Sequence, residues 1–446
     1  MRAMTRRFRR GWARALLVGC LAIPTALGLL ALGGVLGGSG GAPADRSGAV
    51  AAPAAPTDAL AATIARAQQR LREVPGDWRT WAELGSVYLE WARVSADPTY
   101  YPKAEGATQR SLSLRPADNP DALVVLGALA NARHDFAAAR ADALEALAGN
   151  GYDANAYGVL ADAETQLGDT AAATGAVQRM LDLRPGLAAY ARASYDLEQH
   201  GRVVEATELM RRAAQAALDP RDLAFCRAQL GDLAFAGGDL AGADREYTAA
   251  LAAAPSTVAA LRGRARVAAA AGHLDEALTS YADLTRRTPT PGYLLEYAEL
   301  LRVAGRVADA DEQLRLAQAA HRLFSDNGGT DGLTAAALAL ALGQPEAAVL
   351  AAQGEWVRRQ HADVADTLGW ALHLAGRDAE ALPYARRAAA TGARSAGYAY
   401  HLGVIELALG SGAAGRADLA RALEISQYFS PVEAPAARRL LTGAGA

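Results

Sequence analysis

The stretch Ala365 to Thr391, ADTLGWALHLAGRDAEALPYARRAAAT, carries the most regular alternation of apolar and polar positions in the chain. Leu368, Trp370, Leu372 and Leu374 give its first half apolar bulk, Gly376 and Arg377 mark a turn, and Ala381, Ala385 and Ala388 recur at helical spacing. The pattern predicts two short helices joined by a tight turn. Such a hairpin has no way to bury its own apolar face, so it requires stacked copies on either side.

Copies are present throughout. In a tight hairpin the two backbones approach closely at one point midway along the first helix and one early in the second, and both places must be small. The first is occupied by Gly85, Gly127, Ala161, Ser194, Gly231, Ala265, Ala298, Ala336, Gly369 and Gly403. The second is occupied by Ala104, Ala139, Ala173, Ala206, Ala243, Ala277, Ala310, Ala348, Ala381 and Gly415. Turn glycines are the stronger signal, because a first helix that ends in the left-handed region favours Gly. Gly168, Gly201, Gly238, Gly272, Gly305, Gly343, Gly376 and Gly410 recur at intervals of 33 to 38 residues, with His134 one period earlier. Pro75, Pro116, Pro185, Pro255 and Pro289 fall where second helices must stop.

The first copy also holds Trp81, then Leu84-Gly85, then Tyr88, with small residues and a proline following. In this order the chain resembles the tetratricopeptide repeat. The resemblance implies an all-α, right-handed superhelical solenoid of ten helical hairpins over residues 76 to 426. A leading helix with Thr57 as N-cap and Leu60, Ile64, Ala67 and Leu71 on one face caps one end, and a helix from Phe429-Ser430-Pro431 to Leu441 caps the other. Two departures stand out. The first repeat has about seven extra residues around SADPTYYPK, predicting a longer helix or a protruding loop with Tyr100 and Tyr101. Between repeats seven and eight lies SDNGGTDG, which looks loosely like a calcium loop but puts Leu338 where the bidentate acid belongs.

Composition agrees with close helix packing: 51% of residues are hydrophobic but only 6% aromatic. The first 44 residues contain six of the 45 basic residues and no acid, which leaves 39 bases against 48 acids in the remainder. A body of that sign has no electrostatic basis for gripping nucleic acid. Behind those arginines, Ala15 to Leu36 run without a charge, long enough to cross a bilayer. Residues 1–44 are therefore expected to be a membrane anchor or a signal peptide cleaved after Ala42-Pro43-Ala44, residues 45–57 a flexible linker, and residues 58–446 the solenoid. Leu17-Val18-Gly19-Cys20 is similar to a lipobox, but its apolar core follows the cysteine instead of preceding it. Either fate places the solenoid outside the cytoplasmic membrane.

Catalytic constellations are not found in the sequence. The histidines form no metal-binding pair with each other or with Cys20 or Cys226, and the G-x-S-x-G match at Gly37 to Gly41 has no strand before it. No catalytic activity, cofactor or metal is expected. What the resemblance offers is a concave groove walled by first helices, with side chains one helical turn apart. By position it places Tyr195, Glu198, Asp232, Arg262, Arg266, Glu299, Arg302, Trp370, His373 and Tyr400 on that wall, together with Asn131, Asn155, Asp162 and Gln166. Arg262 and Arg266 would fork onto a partner carboxylate, and Trp370 would either anchor a partner or pack between successive helices. The expected partner is a protein or an extended peptide, with a secreted glycan or small-ligand module using Trp370, Tyr400 and Tyr195 as the alternative.

Overall fold

The computed structural model describes residues 56–443. The expected anchor, signal and most of the linker lie outside the described residues. Among the described residues there are 22 α-helices and no strand, and no helix is long and apolar enough to cross a membrane. Helix α1 (Pro56–Glu73) begins one residue before Thr57, so Thr57 is inside the helix rather than its cap. Ten hairpins follow. Their first helices are α2 (Trp78–Ser95), α4 (Pro120–Ala132), α6 (Ala154–Leu167), α8 (Leu187–Gln199), α10 (Pro220–Ala236), α12 (Val258–Ala270), α14 (Pro291–Val303), α16 (Gly332–Ala341), α18 (Ala362–Leu374) and α20 (Ala396–Ala408). Their second helices are α3 (Tyr101–Leu114), α5 (Phe136–Gly149), α7 (Thr170–Leu183), α9 (Val203–Ala216), α11 (Leu240–Ala253), α13 (Leu274–Arg287), α15 (Val307–Asp326), α17 (Pro345–Arg358), α19 (Asp378–Ala389) and α21 (Gly412–Ile425). Helix α22 (Glu433–Thr442) closes the array, packing Ala436 and Ala437 into the last core cluster. The architecture is an all-α superhelical solenoid.

The small positions are where the helices of each hairpin touch. A Cβ on Gly127 would stand 2.8 Å from Val159 and 3.2 Å from the Ala139 carbonyl, and one on Gly403 would stand 2.8 Å from the Gly415 carbonyl. Ser194 uses the same closeness differently, its hydroxyl donating to the Ala206 carbonyl at 2.7 Å. The alanines opposite are wholly inaccessible from Ala104 to Ala381, apart from a 2% sliver at Ala173. The turns repeat as faithfully. All eight turn glycines have φ between 72° and 86°, and His134 fills the same slot at φ 62°. In each the next residue's amide reaches back five residues, as from Asp169 to the Glu164 carbonyl at 3.0 Å, and where that residue is an aspartate, at Asp135, Asp169 and Asp239, its side chain caps the following helix.

The extra residues of the first repeat lengthen α2 to 18 residues and add a short 3-10 turn, with Tyr100 stacked on Trp91 rather than protruding. SDNGGTDG splits between the end of α15 and a tight turn. Asp331 there caps α16 by accepting from the Thr334 amide at 2.9 Å.

The superhelix closes on itself. Between five and six repeats after α4, the chain returns and rests on its own first turn. The Thr330 amide donates to the Arg133 carbonyl at 2.9 Å, and the Arg133 side chain donates to the Asn327 carbonyl at 3.1 Å. Arg358 donates to the His134 carbonyl, Arg359 to the Gln166 side chain, and the Gln360 amide to the Leu167 carbonyl at 3.3 Å. Further along the same seam Gly201 meets Gly392, and Gly238 meets Ser426. Arginines from one turn thus satisfy the exposed helix-end carbonyls of another. The seam turns an open groove into a partly closed interior.

Candidate functional site

That interior is a cavity of about 1830 Å³, walled by the first helices α2 to α14, by the far half of α15, by the segment from Ala393 to Tyr398 and by the segment from Ile425 to Arg438. Its wall is apolar for the most part, with Val204, Val303, Leu316 and Leu323 leaving large apolar surfaces uncovered. Polar groups enter at helical spacing, because residues three or four apart share one face: Asp162 with Gln166 on α6, Tyr195 with Glu198 on α8, Arg262 with Arg266 on α12, and Glu296 with Glu299 on α14.

Six of the ten expected groove residues line the cavity: Tyr195, Glu198, Asp232, Arg262, Arg266 and Glu299. The other four do not. Arg302 turns away to donate to the Ala341 carbonyl at 2.7 Å and to Asp311. Trp370 packs between α18 and α20 at 6% exposure, its ring 4.2 Å from that of His401, 4.9 Å from that of His373 and 5.8 Å from that of Tyr400. His373 is held by Asp378, and Tyr400 is buried against Phe429. For the three in the last two repeats the reason is a buried charge. His401 donates through Nδ1 to both Asp366 oxygens at 2.9 Å and through Nε2 to Glu433 at 3.1 Å. Burial would lower the His401 pKa, but the two carboxylates outweigh it and raise it to about 10. Trp370 is the lid on this ion triad, and Phe429 with α22 covers Tyr400, so the inner face of the last two repeats is consumed by packing.

The charges that do reach the cavity differ in how well they are paired. Arg262 is not free to fork onto a partner. Its Nε lies 3.0 and 2.9 Å from the two Glu296 oxygens, its Nη2 also bonds Glu296, and the Tyr281 hydroxyl donates to the same carboxylate at 2.8 Å. Burial pushes Glu296 up, yet Arg262 overrides it and holds the carboxyl below its usual range. Arg266 sits 3.5 Å from Asp232 and lies over the Phe235 ring at 4.1 Å. Asp162 accepts both Nε and Nη2 of Arg192 at 2.9 and 2.8 Å.

Glu198, like Asp222, lines the cavity without such a pair. Its carboxyl makes no hydrogen bond and no ion pair among the described residues, and it is one residue from the C-terminal end of α8, where helix carbonyls already present negative charge. Burial, and then the carboxylates of Asp232 and Asp363, raise its pKa to about 7. Asp363 belongs to α18 of the overlying turn, where it is paired with His361 at 3.4 Å and with the Tyr398 hydroxyl. Glu296, Tyr293 and Asp363 were missed in the sequence. Glu296 is one turn before the predicted Glu299, so the 3.6-residue periodicity allowed it; nothing in the sequence pointed to Asp363.

No family model matches this chain, and no curated protein matches it. Among solved structures it is similar to a tetratricopeptide repeat protein from Parabacteroides merdae, at 18% identity and a TM-score of 0.35 over 57% of this chain and 97% of that chain. It is also similar to yeast Tom70, at 15% identity and 0.41 over 80% and 86% of the two chains, and to human IFIT1, at 15% identity and 0.45 over 73% and 77%.

Proposed function

We propose that this protein is a non-enzymatic scaffold that takes an extended segment of a partner protein into the interior of its superhelix. The size of the cavity carries this reading. Small-molecule sites are typically ~300–1,000 Å³, whereas this interior is about 1830 Å³ and runs past several successive helices with apolar and polar positions interleaved. The solenoid is held outside the cytoplasmic membrane by Ala15 to Leu36 or released by cleavage, a reading supported by the arginines that precede that uncharged run. Of the three aromatics on which sugar binding would rest, only Tyr195 reaches the cavity, so the structure favours a polypeptide occupant.

The test is to fill the interior. Gln229→Trp with Ala319→Trp places two indoles where the wall has room. Crosslinking and recovery from membranes of the native host should lose the partner with this variant while circular dichroism stays helical. Undiminished recovery would put the binding surface on the outside of the solenoid.

A further inference from the structure

One turn in the seam breaks the pattern of the others. Eight hairpins place glycine in the left-handed slot, whereas His134 occupies it at φ 62° and is 5% exposed. Its ring joins the two sides of the seam. It stacks on Phe136 of α5 at 5.5 Å and meets Phe324 of α15 at 5.3 Å, and Phe324 in turn meets Tyr101 of α3 at 6.3 Å. Among the described residues no cluster of buried apolar side chains crosses the seam; each lies within a run of successive repeats. Closure therefore leans on these rings and on polar contacts, and it is separable from the packing within and between successive hairpins.

The neutral ring suits this place and the charged ring does not. Nδ1 is buried with no hydrogen-bond partner, 3.9 Å from Asp331. Asp331 already accepts from the Thr334 amide at 2.9 Å and from its hydroxyl at 2.6 Å. Helix α17 and the residue after it bring Glu355, Arg358 and Arg359. Arg358 donates to the His134 carbonyl, Arg359 lies 5.1 Å over the Phe136 ring with Nη2 lacking an acceptor, and both bond Glu355. On the remaining sides Arg133 is paired with Glu105 at 2.9 Å, Asp135 caps α5, and α15 carries His321 one turn before Phe324. A proton on His134 would add a fourth cation to Arg133, Arg358 and Arg359, where the carboxylates are already engaged. Burial, with Arg359 and Arg358, lowers the pKa of His134, and Asp331 and Glu355 do not reverse this.

We propose that His134 makes closure of the superhelix sensitive to pH: the neutral imidazole holds the seam, and the imidazolium releases it. The open state, in which water solvates the ring, binds the proton more readily, so falling pH favours opening. The closed state keeps its full advantage above the ordinary histidine value of 6.5 and loses it progressively below. The switch controls access to the interior and does not depend on what the interior takes.

The experiment places a donor and an acceptor dye on the two sides of the seam, at Ala137→Cys and Ser325→Cys, both exposed, in the full chain with Cys20→Ser; Cys226 is buried and stays unlabelled. Energy transfer and circular dichroism are followed against urea from pH 8 to 5. Transfer should be lost at lower urea than helicity. Its midpoint should fall with pH in the parent, the closure constant dropping by up to about tenfold per pH unit below the ordinary histidine value. His134→Phe keeps a ring between Phe136 and Phe324 with no proton to gain, so its midpoint should lack that fall. If phenylalanine strains the turn, His134→Asn accepts the left-handed slot and gives the same comparison. His321, His361 and Glu198 are present in all three chains, so the difference between chains reports His134. A midpoint that falls equally in the parent and both variants would overturn the proposal, as would one that rises in the parent because the imidazolium pairs with Asp331. Transfer and helicity lost together at every pH would overturn the seam as a separable latch.

Discussion

Gly168 and Gly272 have the same backbone conformation, φ 86°, at the same place in two copies of one motif three repeats apart. A Cβ on Gly168 would stand 2.6 Å from the Gln360 carbonyl, whereas around Gly272 there is nothing within 4 Å. The first turn is pinned in the seam between superhelical turns and the second is exposed beside the cavity. One local signal therefore serves two mechanical roles, and the contrast extends to charge. Glu355 in the seam has 1% of its side chain exposed and pairs with Arg359, also 1% exposed; Glu346 outside it is 68% exposed and lies 3.6 Å from Arg377. The seam is a second, non-local core laid over a repeat array whose other contacts are all between neighbours.

That contrast is most sharply tested by breaking the buried pair. Glu355→Ala leaves Arg359 charged and uncompensated and should cost about 3–5 kcal/mol, against no more than about 1 kcal/mol for Glu346→Ala. Urea denaturation would measure both, and small-angle scattering of Glu355→Ala should show a larger radius as the turns separate. Equal losses would mean that the seam does not stabilise the molecule.

The glycines come next. Gly272→Ala pays only for the left-handed backbone, about 1–2 kcal/mol. Gly168→Ala adds a collision with a backbone carbonyl and should cost about 1–3 kcal/mol more. Matching melting temperatures for the two variants would refute a tight seam at α6.

A smaller and pH-dependent effect is expected at the C-terminal cap, away from the seam. His401 is raised from its ordinary value near 6.5 to about 10, so its stabilisation is complete below about pH 6.5 and is lost as pH rises through 10. The slope is at most about 1.4 kcal/mol per pH unit. Denaturation midpoints from pH 7 to 10 should fall for the parent and stay flatter for His401→Gln. On the interior wall Glu198→Gln should leave stability unchanged or slightly higher.

The candidate wall was partly legible in advance. Side chains on the first helices at one-turn spacing point inward wherever the groove is open, which is why Tyr195, Glu198, Asp232, Arg262, Arg266 and Glu299 were identifiable. Trp370, His373 and Tyr400 obey the same spacing, but His401 with Asp366 and Glu433 draws the last two repeats into packing, and α22 covers what remains. Their roles depended on partners 32 and 35 residues from His401 in the chain, beyond the reach of a helical period.

By itself the sequence determined the hairpins, their number and their caps, because small residues, left-handed glycines and helix-ending prolines act within one hairpin through sterics that each residue carries with it. It did not determine that the superhelix would close, or which charges would be left without partners. Arg262 looked like the exposed anchor and is satisfied by Glu296, 34 residues on; Glu198 looked ordinary and is isolated by Asp232 on α10 and by Asp363 on the overlying turn. Pairing and desolvation are properties of what surrounds a charge, and in a closed superhelix those surroundings come from the next repeat and from the repeat one full turn away.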